Sequence, residues 1–175
     1  MMLATVTLIR HAMPAFGPDA PPHAWDLSAE GHAAARRLIA VLPPHACLVS
    51  SAEPKAWQTL GGGDEVVRDR RFNEVVRVEP WDGGFRELRR AYVEGADHPE
   101  WEPRSEVVER FDAGIADHLE HAEGRPLVVA THGMAMTLWL TTRIGLGDPG
   151  AFWADLRFPD AHVVDLAAHT VRRAR

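Results

Sequence analysis

Two basic residues, Arg10 and His11, directly follow an apolar run near the start of the sequence. The run, residues 3–9, is rich in aliphatic and β-branched side chains, which is typical of a buried strand in a parallel sheet. Pro14 prevents this strand from continuing as an inner strand. Open α/β sheets bind ligands at the carboxyl ends of their strands, so the guanidinium and imidazole predict an anion site. A solvated Arg-His pair is the competing interpretation, and a second site downstream is needed to decide.

The second site is His132 followed by Gly133, at the end of another apolar run, residues 126–131. Residues 134–140 are apolar enough for a buried helix, which places His132 at a strand-to-helix turn. The amino terminus of a helix presents free N–H groups and the positive end of its dipole, and both favour phosphate. Two histidines and an arginine at the ends of two inner strands therefore predict a pocket for a dianion.

Three further segments complete an ordered set of motifs. They are residues 27–31 (Leu-Ser-Ala-Glu-Gly), residues 50–59, which begin Ser-Ser and end in Thr, and residues 71–74 (Arg-Phe-Asn-Glu). Together with Arg10-His11 and the Thr-His-Gly of residues 131–133, they resemble the histidine phosphatase superfamily, which has the phosphoglycerate mutase-like fold. The similarity spans roughly residues 3–145, and its specificity lies in the ordered set.

The resemblance implies phosphoryl transfer through a covalent intermediate. His11 is the expected nucleophile, forming a phosphohistidine that water then hydrolyses. Arg10 is expected to bind non-bridging phosphate oxygens with its planar guanidinium. His132, when protonated, stabilises the charge that develops in the transition state, and the amide of Gly133 adds a donor. We expect this chemistry to need neither metal nor cofactor.

An acid must protonate the leaving alkoxide, and Glu74 is the expected residue. Its place in the 71–74 segment matches the acid of the family, whereas the independent argument is only that a carboxylate is required. Glu79, Asp82 and Glu87 are alternatives, and a salt-bridged surface residue is the competing interpretation of Glu74.

The sequence departs from the family pattern at Lys55, which stands where a second phosphate-binding arginine is usual. Lys55 is the one lysine among 19 lysine and arginine residues, so we interpret its presence as functional and not as a chance of composition. We expect it to bind phosphate as a point charge without a bidentate fork, which gives a looser or differently angled grip. Ala12 also replaces the glycine of the usual Arg-His-Gly, a change that bears on substrate recognition.

Composition limits the classes of function. The chain has 175 residues, 46% hydrophobic and 25% charged, which predicts one soluble domain over residues 1–175. A net charge of -6 argues against a nucleic-acid partner. The lone Cys47 indicates a reducing, cytoplasmic compartment, and neither a signal peptide nor a membrane span is visible. The oligomeric state stays open.

Two groups of polar residues have alternative interpretations. A set of arginines either attracts an anionic substrate or forms a solvated surface; its members are Arg68, Arg70, Arg71, Arg77, Arg86, Arg89 and Arg90. His118 and His121, three residues apart on a predicted helix, are a weak metal pair without a third ligand.

The pattern of the chain predicts the elements that position these residues. Ser28 is the expected N-cap of a helix that Pro43 and Pro44 end. A strand over residues 46–50 and a helix over 52–60, capped by Ser51, follow. Residues 75–104 predict a small lid with a short helix over 86–93. An amphipathic helix begins at Ser105 and ends near Gly124, with an apolar face of Val108, Phe111, Ile115 and Leu119. Residues 161–166 predict an edge strand, and residues 172–175 a frayed tail.

These observations predict an α/β three-layer sandwich, with a mainly parallel mixed sheet and helices on both faces. The expected activity is hydrolysis of a small phosphomonoester. A phosphohistidine protein phosphatase is the enzymatic alternative, since small members of that type also carry Arg-His-Ala and imidazole leaves without a strong acid. A non-catalytic phosphate-binding module is the third interpretation.

Overall fold

A mixed sheet of six strands forms the centre of the computed structural model, which describes residues 5–81 and 83–175. The strands are β1 (Thr5–Arg10), β2 (Cys47–Ser50), β3 (Val67–Arg68), β4 (Leu127–Thr131), β5 (Asp160–Asp165) and β6 (Thr170–Arg173). Their order is β3-β2-β4-β1-β5-β6. The four strands from β3 to β1 are parallel, and β5 and β6 are antiparallel to their neighbours. The predicted mainly parallel mixed sheet is confirmed.

Helices cover both faces of this sheet. They are α1 (Ala29–Ile39), α2 (Pro54–Thr59), α3 (Phe85–Val93), α4 (Arg104–Ala122), α5 (Gly133–Ile144) and α6 (Pro149–Asp155). Alternate residues of β4 join different hydrophobic clusters, as the two-residue period of a strand requires. Leu127 and Val129 pack in the cluster that includes α4 and α5, whereas Val128 and Ala130 pack in the cluster that includes α2. The predicted three-layer α/β architecture is therefore confirmed.

The start of α1 agrees with the sequence, but the start of α2 does not. The Ser28 hydroxyl accepts a hydrogen bond from the Gly31 N–H at 3.0 Å, which confirms the predicted N-cap. The prediction that Ser51 caps the next helix is wrong. Helix α2 begins at Pro54, whose fixed φ suits the first helical position, and Glu53 occupies the N-cap. Ser51 is thereby left free to contact the functional site.

Two predictions about the end of the chain are wrong. Strand β5 is not an edge strand, because it pairs with β1 on one side and with β6 on the other. Residues 172 and 173, predicted to be part of a frayed tail, belong to β6, which is the edge strand next to β5. The Arg173 guanidinium donates to Asp160 at 2.9 and 3.0 Å and to the carboxylate of Asp155 at 3.1 Å. These long-range ion pairs hold the basic segment against the sheet.

The remaining elements lie close to their predicted positions. Phe111 and Ile115 are buried on α4, as its apolar periodicity predicts. Helix α3 packs against α5 and α6, whereas the closing function of the predicted lid stays a prediction. The predicted first two residues of β1 and the candidate acid Asp82 lie outside the described residues. Within the described part of the chain, no helix is long and apolar enough to cross a membrane.

Candidate active site

Pairing of β1 with β4 brings the two predicted histidines together. Arg10 lies opposite Thr131 in this parallel pair, and the His11 backbone N–H donates to the Thr131 carbonyl at 3.1 Å. The imidazole rings of His11 and His132 have centroids 5.1 Å apart, and both side chains are buried. The carboxyl ends of two neighbouring inner strands thus form one site from residues far apart in sequence.

The hydrogen bond of His11 determines which of its nitrogens can react. Its Nδ1 lies 2.8 Å from the Ala12 carbonyl oxygen, which can only accept, so Nδ1 carries the proton and Nε2 keeps its lone pair. Burial, together with electrostatic repulsion from His132, Lys55 and Arg10, lowers the pKa of His11 well below its ordinary value. His11 is therefore a neutral imidazole with a free Nε2, the form required of a nucleophile.

His132 is held through its Nε2 atom. This atom lies 2.7 Å from the Ser51 hydroxyl and 3.2 Å from the Glu53 carboxylate. Its Nδ1 is buried and has no hydrogen-bond partner among residues 5–81 and 83–175. Burial and the charge of Lys55 lower the pKa of His132 well below its ordinary value, while Glu74 opposes the shift. Nδ1 is thus the nitrogen of His132 that remains for a ligand.

Arg10 lies beside the amino terminus of α5. Its guanidinium donates to the Leu156 carbonyl at 3.1 Å and stacks 3.7 Å above the Phe158 ring, and its buried Nε has no hydrogen-bond partner in the described chain. Burial lowers its pKa to about 10, so the side chain stays charged at neutral pH. A Cβ at Gly133 would lie 3.3 Å from the Arg10 Nε and 3.2 Å from the Trp153 Nε1. Gly133 is therefore the residue that permits this close approach.

Lys55 is buried next to the histidines, but its ammonium group already has partners. Nζ donates to the Pro22 carbonyl at 2.6 Å and to the Glu53 carboxylate at 2.9 Å. Burial lowers the pKa of Lys55, and Glu53 opposes the shift. Two of the three N–H bonds of the ammonium are engaged within the protein. Its predicted role in phosphate binding therefore requires the third N–H or a rearrangement.

Glu74 binds the amino terminus of α5. Its carboxylate accepts hydrogen bonds from the N–H groups of Met134 at 3.0 Å and Ala135 at 2.8 Å. Burial favours the neutral acid, but the charges of His132 and Arg77 and the backbone donors outweigh it and lower the pKa of Glu74. Glu74 is therefore ionised in this arrangement, although a general acid must carry a proton.

The alternative acids are placed less favourably. Glu79 forms ion pairs with Arg77 and Arg89, which together outweigh its burial and lower its pKa. Glu87 is exposed on α3. Among the described carboxylates considered from the sequence, Glu74 is the one that binds the helix carrying Gly133. Its assignment as the acid stays a prediction.

Two residues that organise the site, Glu53 and Thr59, were given no role from the sequence, although Thr59 ends the motif of residues 50–59. Glu53 binds Lys55 and His132 directly, and it also accepts the Glu74 backbone N–H at 2.7 Å. The Thr59 hydroxyl accepts the Ala12 N–H at 2.9 Å and donates to the Lys55 carbonyl at 2.7 Å, which fixes the turn after His11. A carboxylate two residues before the lone lysine is the one available signal for Glu53.

The predicted arginine set divides in space. Charges of Arg77, Arg86 and Arg89 act on the site, since Arg77 influences the pKa of His132 and the other two influence the pKa of Arg10. The remaining ion-paired members are bound elsewhere: Arg71 to Asp69 and Asp117, and Arg90 to Glu94. The histidines of α4 lie away from the site, with His118 bound to Asp69 and His121 to the Asp117 carbonyl.

A neutral histidine, a second histidine and a buried arginine meet at the carboxyl ends of parallel strands, which is an arrangement suited to a phosphate group. The family model of the histidine phosphatase superfamily (branch 1) matches residues 6–172, and the chain belongs to this superfamily. The resemblance inferred from the motifs is confirmed, and membership makes the chain a phosphatase of the phosphoric monoester hydrolase class.

Solved structures share the fold over nearly the whole chain. A mycobacterial glucosyl-3-phosphoglycerate phosphatase superposes with a TM-score of 0.70 at 20% identity, covering 97% of this chain and 96% of that chain. Bacillus stearothermophilus YhfR superposes with a TM-score of 0.72 at 16% identity, covering 97% and 95%. A Thermus thermophilus protein gives 0.63 at 23% identity, covering 98% and 99%. No sequence among the curated proteins matches this chain.

Proposed function

We propose that the protein hydrolyses a small-molecule phosphomonoester through a phosphohistidine on His11. One observation carries the proposal: the Ala12 carbonyl fixes the proton of His11 on Nδ1 and leaves Nε2 free, next to His132. A site that only binds phosphate needs positive charge and N–H donors, but it does not need a neutral imidazole with a free lone pair. This argues against the binding-module interpretation.

The proposed reaction has two displacement steps. In the first, His11 Nε2 attacks phosphorus, the bond from phosphorus to the alcohol oxygen breaks, and the alcohol takes a proton from Glu74. In the second, water attacks the phosphohistidine, gives a proton to Glu74 and releases inorganic phosphate, which restores His11. Arg10 binds the non-bridging oxygens throughout. His132 donates from Nδ1 to the oxygens that become more negative in each transition state.

Glu74 must gain a proton before it can act as the acid. A phosphate dianion that enters the site brings like charge toward this carboxylate, which raises its pKa. The dianion also competes with Glu74 for the amino terminus of α5, where both Met134 and Ala135 now donate to the carboxylate. Substrate binding thus releases and protonates Glu74 in the proposed cycle.

Aromatic side chains beside Lys55 favour a substrate with an apolar or planar group. The Lys55 Nζ lies 5.8 Å from the Trp25 ring centroid. The centroid of the Trp25 ring lies 6.3 Å from that of Phe16 and 6.1 Å from that of Trp81. Phe16 and Trp81 are 64% and 50% exposed, so they can contact a ligand. Aryl phosphates are therefore suitable first probes. A structural neighbour, the mycobacterial phosphatase, has been solved with VO3 and with inorganic phosphate, which makes vanadate a suitable inhibitor to test.

The test is release of inorganic phosphate from an aryl phosphate with EDTA present. We expect turnover by wild type, inhibition by vanadate, and loss of at least about 10³-fold in kcat for His11→Ala. His118→Ala is the matched control, since it removes a histidine outside the site. Equal turnover by wild type and His11→Ala, or no turnover of any aryl, sugar or alkyl phosphate by folded protein, contradicts the proposal.

The bound state of Glu74 favours one second candidate, a phosphohistidine phosphatase. A carboxylate tied to α5 is a poor acid, and an imidazole leaving group does not require one. The discriminating measurement compares a phosphohistidine peptide with an alkyl phosphate at equal enzyme concentration. A kcat/KM that is higher for the peptide, and that Glu74→Gln leaves unchanged, supports the second candidate over the first.

A further inference from the structure

Glu53 is a buried carboxylate whose contacts converge on the catalytic groups. Its side chain is 7% exposed. One oxygen, Oε1, accepts from the Lys55 ammonium at 2.9 Å. The other, Oε2, accepts the Glu74 backbone N–H at 2.7 Å and lies 3.2 Å from the His132 Nε2. Glu53 therefore joins three residues of the predicted site within one network.

These contacts determine the hydrogen-bonding roles of both partners. The Oε1 contact is with an ammonium and the Oε2 contact with a backbone donor, so both oxygens of Glu53 accept. A carboxylate oxygen 3.2 Å from the His132 Nε2 requires a proton on that nitrogen, because two acceptors at this distance repel. The Ser51 hydroxyl lies 2.7 Å from the same nitrogen, and with the proton on Nε2 it accepts this hydrogen bond. Nδ1 of His132 is then the unprotonated atom in the ligand-free site.

We propose that Glu53 is a positioning residue that fixes the His132 tautomer with the proton on Nε2 and stabilises the imidazolium that forms when phosphate binds. The inference rests on the proposed function, since it assigns His132 Nδ1 as the donor to the phosphoryl group. The logic is that of a carboxylate that orients a catalytic histidine through the ring nitrogen opposite the reacting one. Glu53 acts through His132 and does not touch the substrate.

The pairing with Lys55 extends this role. Burial alone disfavours both the Lys55 ammonium and a His132 imidazolium, and the Lys55 charge further lowers the pKa of His132. Glu53 opposes the shift in the pKa of Lys55. We expect its negative charge, 3.2 Å from the His132 Nε2, to stabilise an imidazolium in the same way. Without Glu53, the His132 imidazolium loses a neighbouring negative charge. It is also repelled by a Lys55 ammonium whose charge is no longer compensated.

The kinetic test compares Glu53→Gln with Asp69→Asn. The control removes a similar carboxylate that contacts His118, 2.8 Å away and outside the site. We expect Glu53→Gln to lower kcat about 10- to 100-fold with KM for an aryl phosphate changed less than about threefold. The basic limb of the kcat–pH profile should move to lower pH, because an imidazolium without its carboxylate loses its proton more easily. An unchanged limb, or an equal loss in Asp69→Asn, overturns the proposal.

A second measurement does not depend on turnover. Nitrogen-15 NMR of His132, assigned with a His132→Gln variant, reports which ring nitrogen carries the proton. We expect the Nε2–H tautomer in free wild type and an imidazolium when inorganic phosphate is added. In Glu53→Gln the imidazolium should need a lower pH. A proton on Nδ1 in free wild type overturns the role of Glu53, even if the enzyme is active. Absence of turnover with the expected tautomer contradicts the proposed function alone.

Discussion

Two of the carboxylate–histidine pairs in the described chain, Glu53 with His132 and Asp69 with His118, have different surroundings. The Asp69 carboxylate accepts from the Arg71 side chain at 2.8 to 3.1 Å and from its backbone N–H at 2.9 Å. Partial burial raises the pKa of Asp69, but hydrogen bonds from Arg71 and His118 outweigh it and lower the pKa to about 2. The His118 ring packs 5.8 Å from Phe72. The hydrogen bond between Asp69 and His118 holds the segment before Phe72 against α4.

The surroundings of the Glu53–His132 pair include polar atoms without hydrogen-bond partners. Beside it, the His132 Nδ1 and the Arg10 Nε are buried without hydrogen-bond partners in the described part of the chain. Such groups cost free energy unless a ligand satisfies them. A carboxylate–histidine pair alone therefore does not indicate catalysis. Unsatisfied buried polar atoms beside the neutral imidazole of His11 distinguish the site from the structural pair.

Removal of each histidine in turn is the strongest test of whether the two pairs have different roles. We expect His132→Ala to lower kcat about 10²- to 10³-fold, because it removes a donor to the transition state. His118→Ala should change kcat less than about twofold. Steady-state kinetics on an aryl phosphate measures both. Equal losses in the two variants would show that the pairs have no different roles.

Glu74→Gln tests whether the carboxylate that binds the amino terminus of α5 has a catalytic role. For an alkyl phosphate, whose alkoxide must be protonated, we expect kcat to fall about 100-fold. For an aryl phosphate with a good leaving group, the first step should lose far less. The measurement is the ratio of the two kcat values in wild type and variant. An unchanged ratio removes Glu74 from the role of acid.

Asp69→Asn tests whether the Asp69–His118 pair has a purely structural role. The variant replaces charge-assisted hydrogen bonds from Arg71 and His118, and we expect a loss of about 1 to 3 kcal/mol in the free energy of unfolding. Urea titration measures this loss, and kcat of the folded variant should stay within about twofold of wild type. A large loss of kcat without a loss of stability contradicts the structural assignment.

The pH dependence of kcat/KM should show the smallest change. Because the pKa of His11 lies well below its ordinary value, the nucleophile stays neutral as pH falls past about 6.5, and the acid limb appears only at lower pH. For an aryl phosphate that is dianionic throughout, kcat/KM should not fall as the pH decreases from about 7 to about 5.5. A limb centred near pH 6.5 would indicate an exposed, ordinary histidine at position 11.

The sequence was sufficient for residues that follow apolar strands. Arg10, His11 and His132 were predictable because the ends of inner parallel strands meet at one edge of the sheet. Glu53 was not predictable, because its partners are set by the side-chain direction at the end of β2 and by His132, 79 positions away in the chain. Strand β6 was missed for a similar reason. Its arginines are polar in sequence, and only the contacts of Arg173 with Asp160 show why they are ordered.

Covalent phosphorylation of His11 is the central claim, and rapid-quench intact mass spectrometry tests it most directly. Wild type, His11→Ala and His118→Ala are mixed with an aryl phosphate in the presence of EDTA and kept out of acid, which preserves a phosphohistidine. We predict one added phosphoryl group on wild type and His118→Ala, accompanied by phosphate release, and none on His11→Ala. Phosphate release by wild type without any adduct, or an adduct that survives in His11→Ala, would contradict the account.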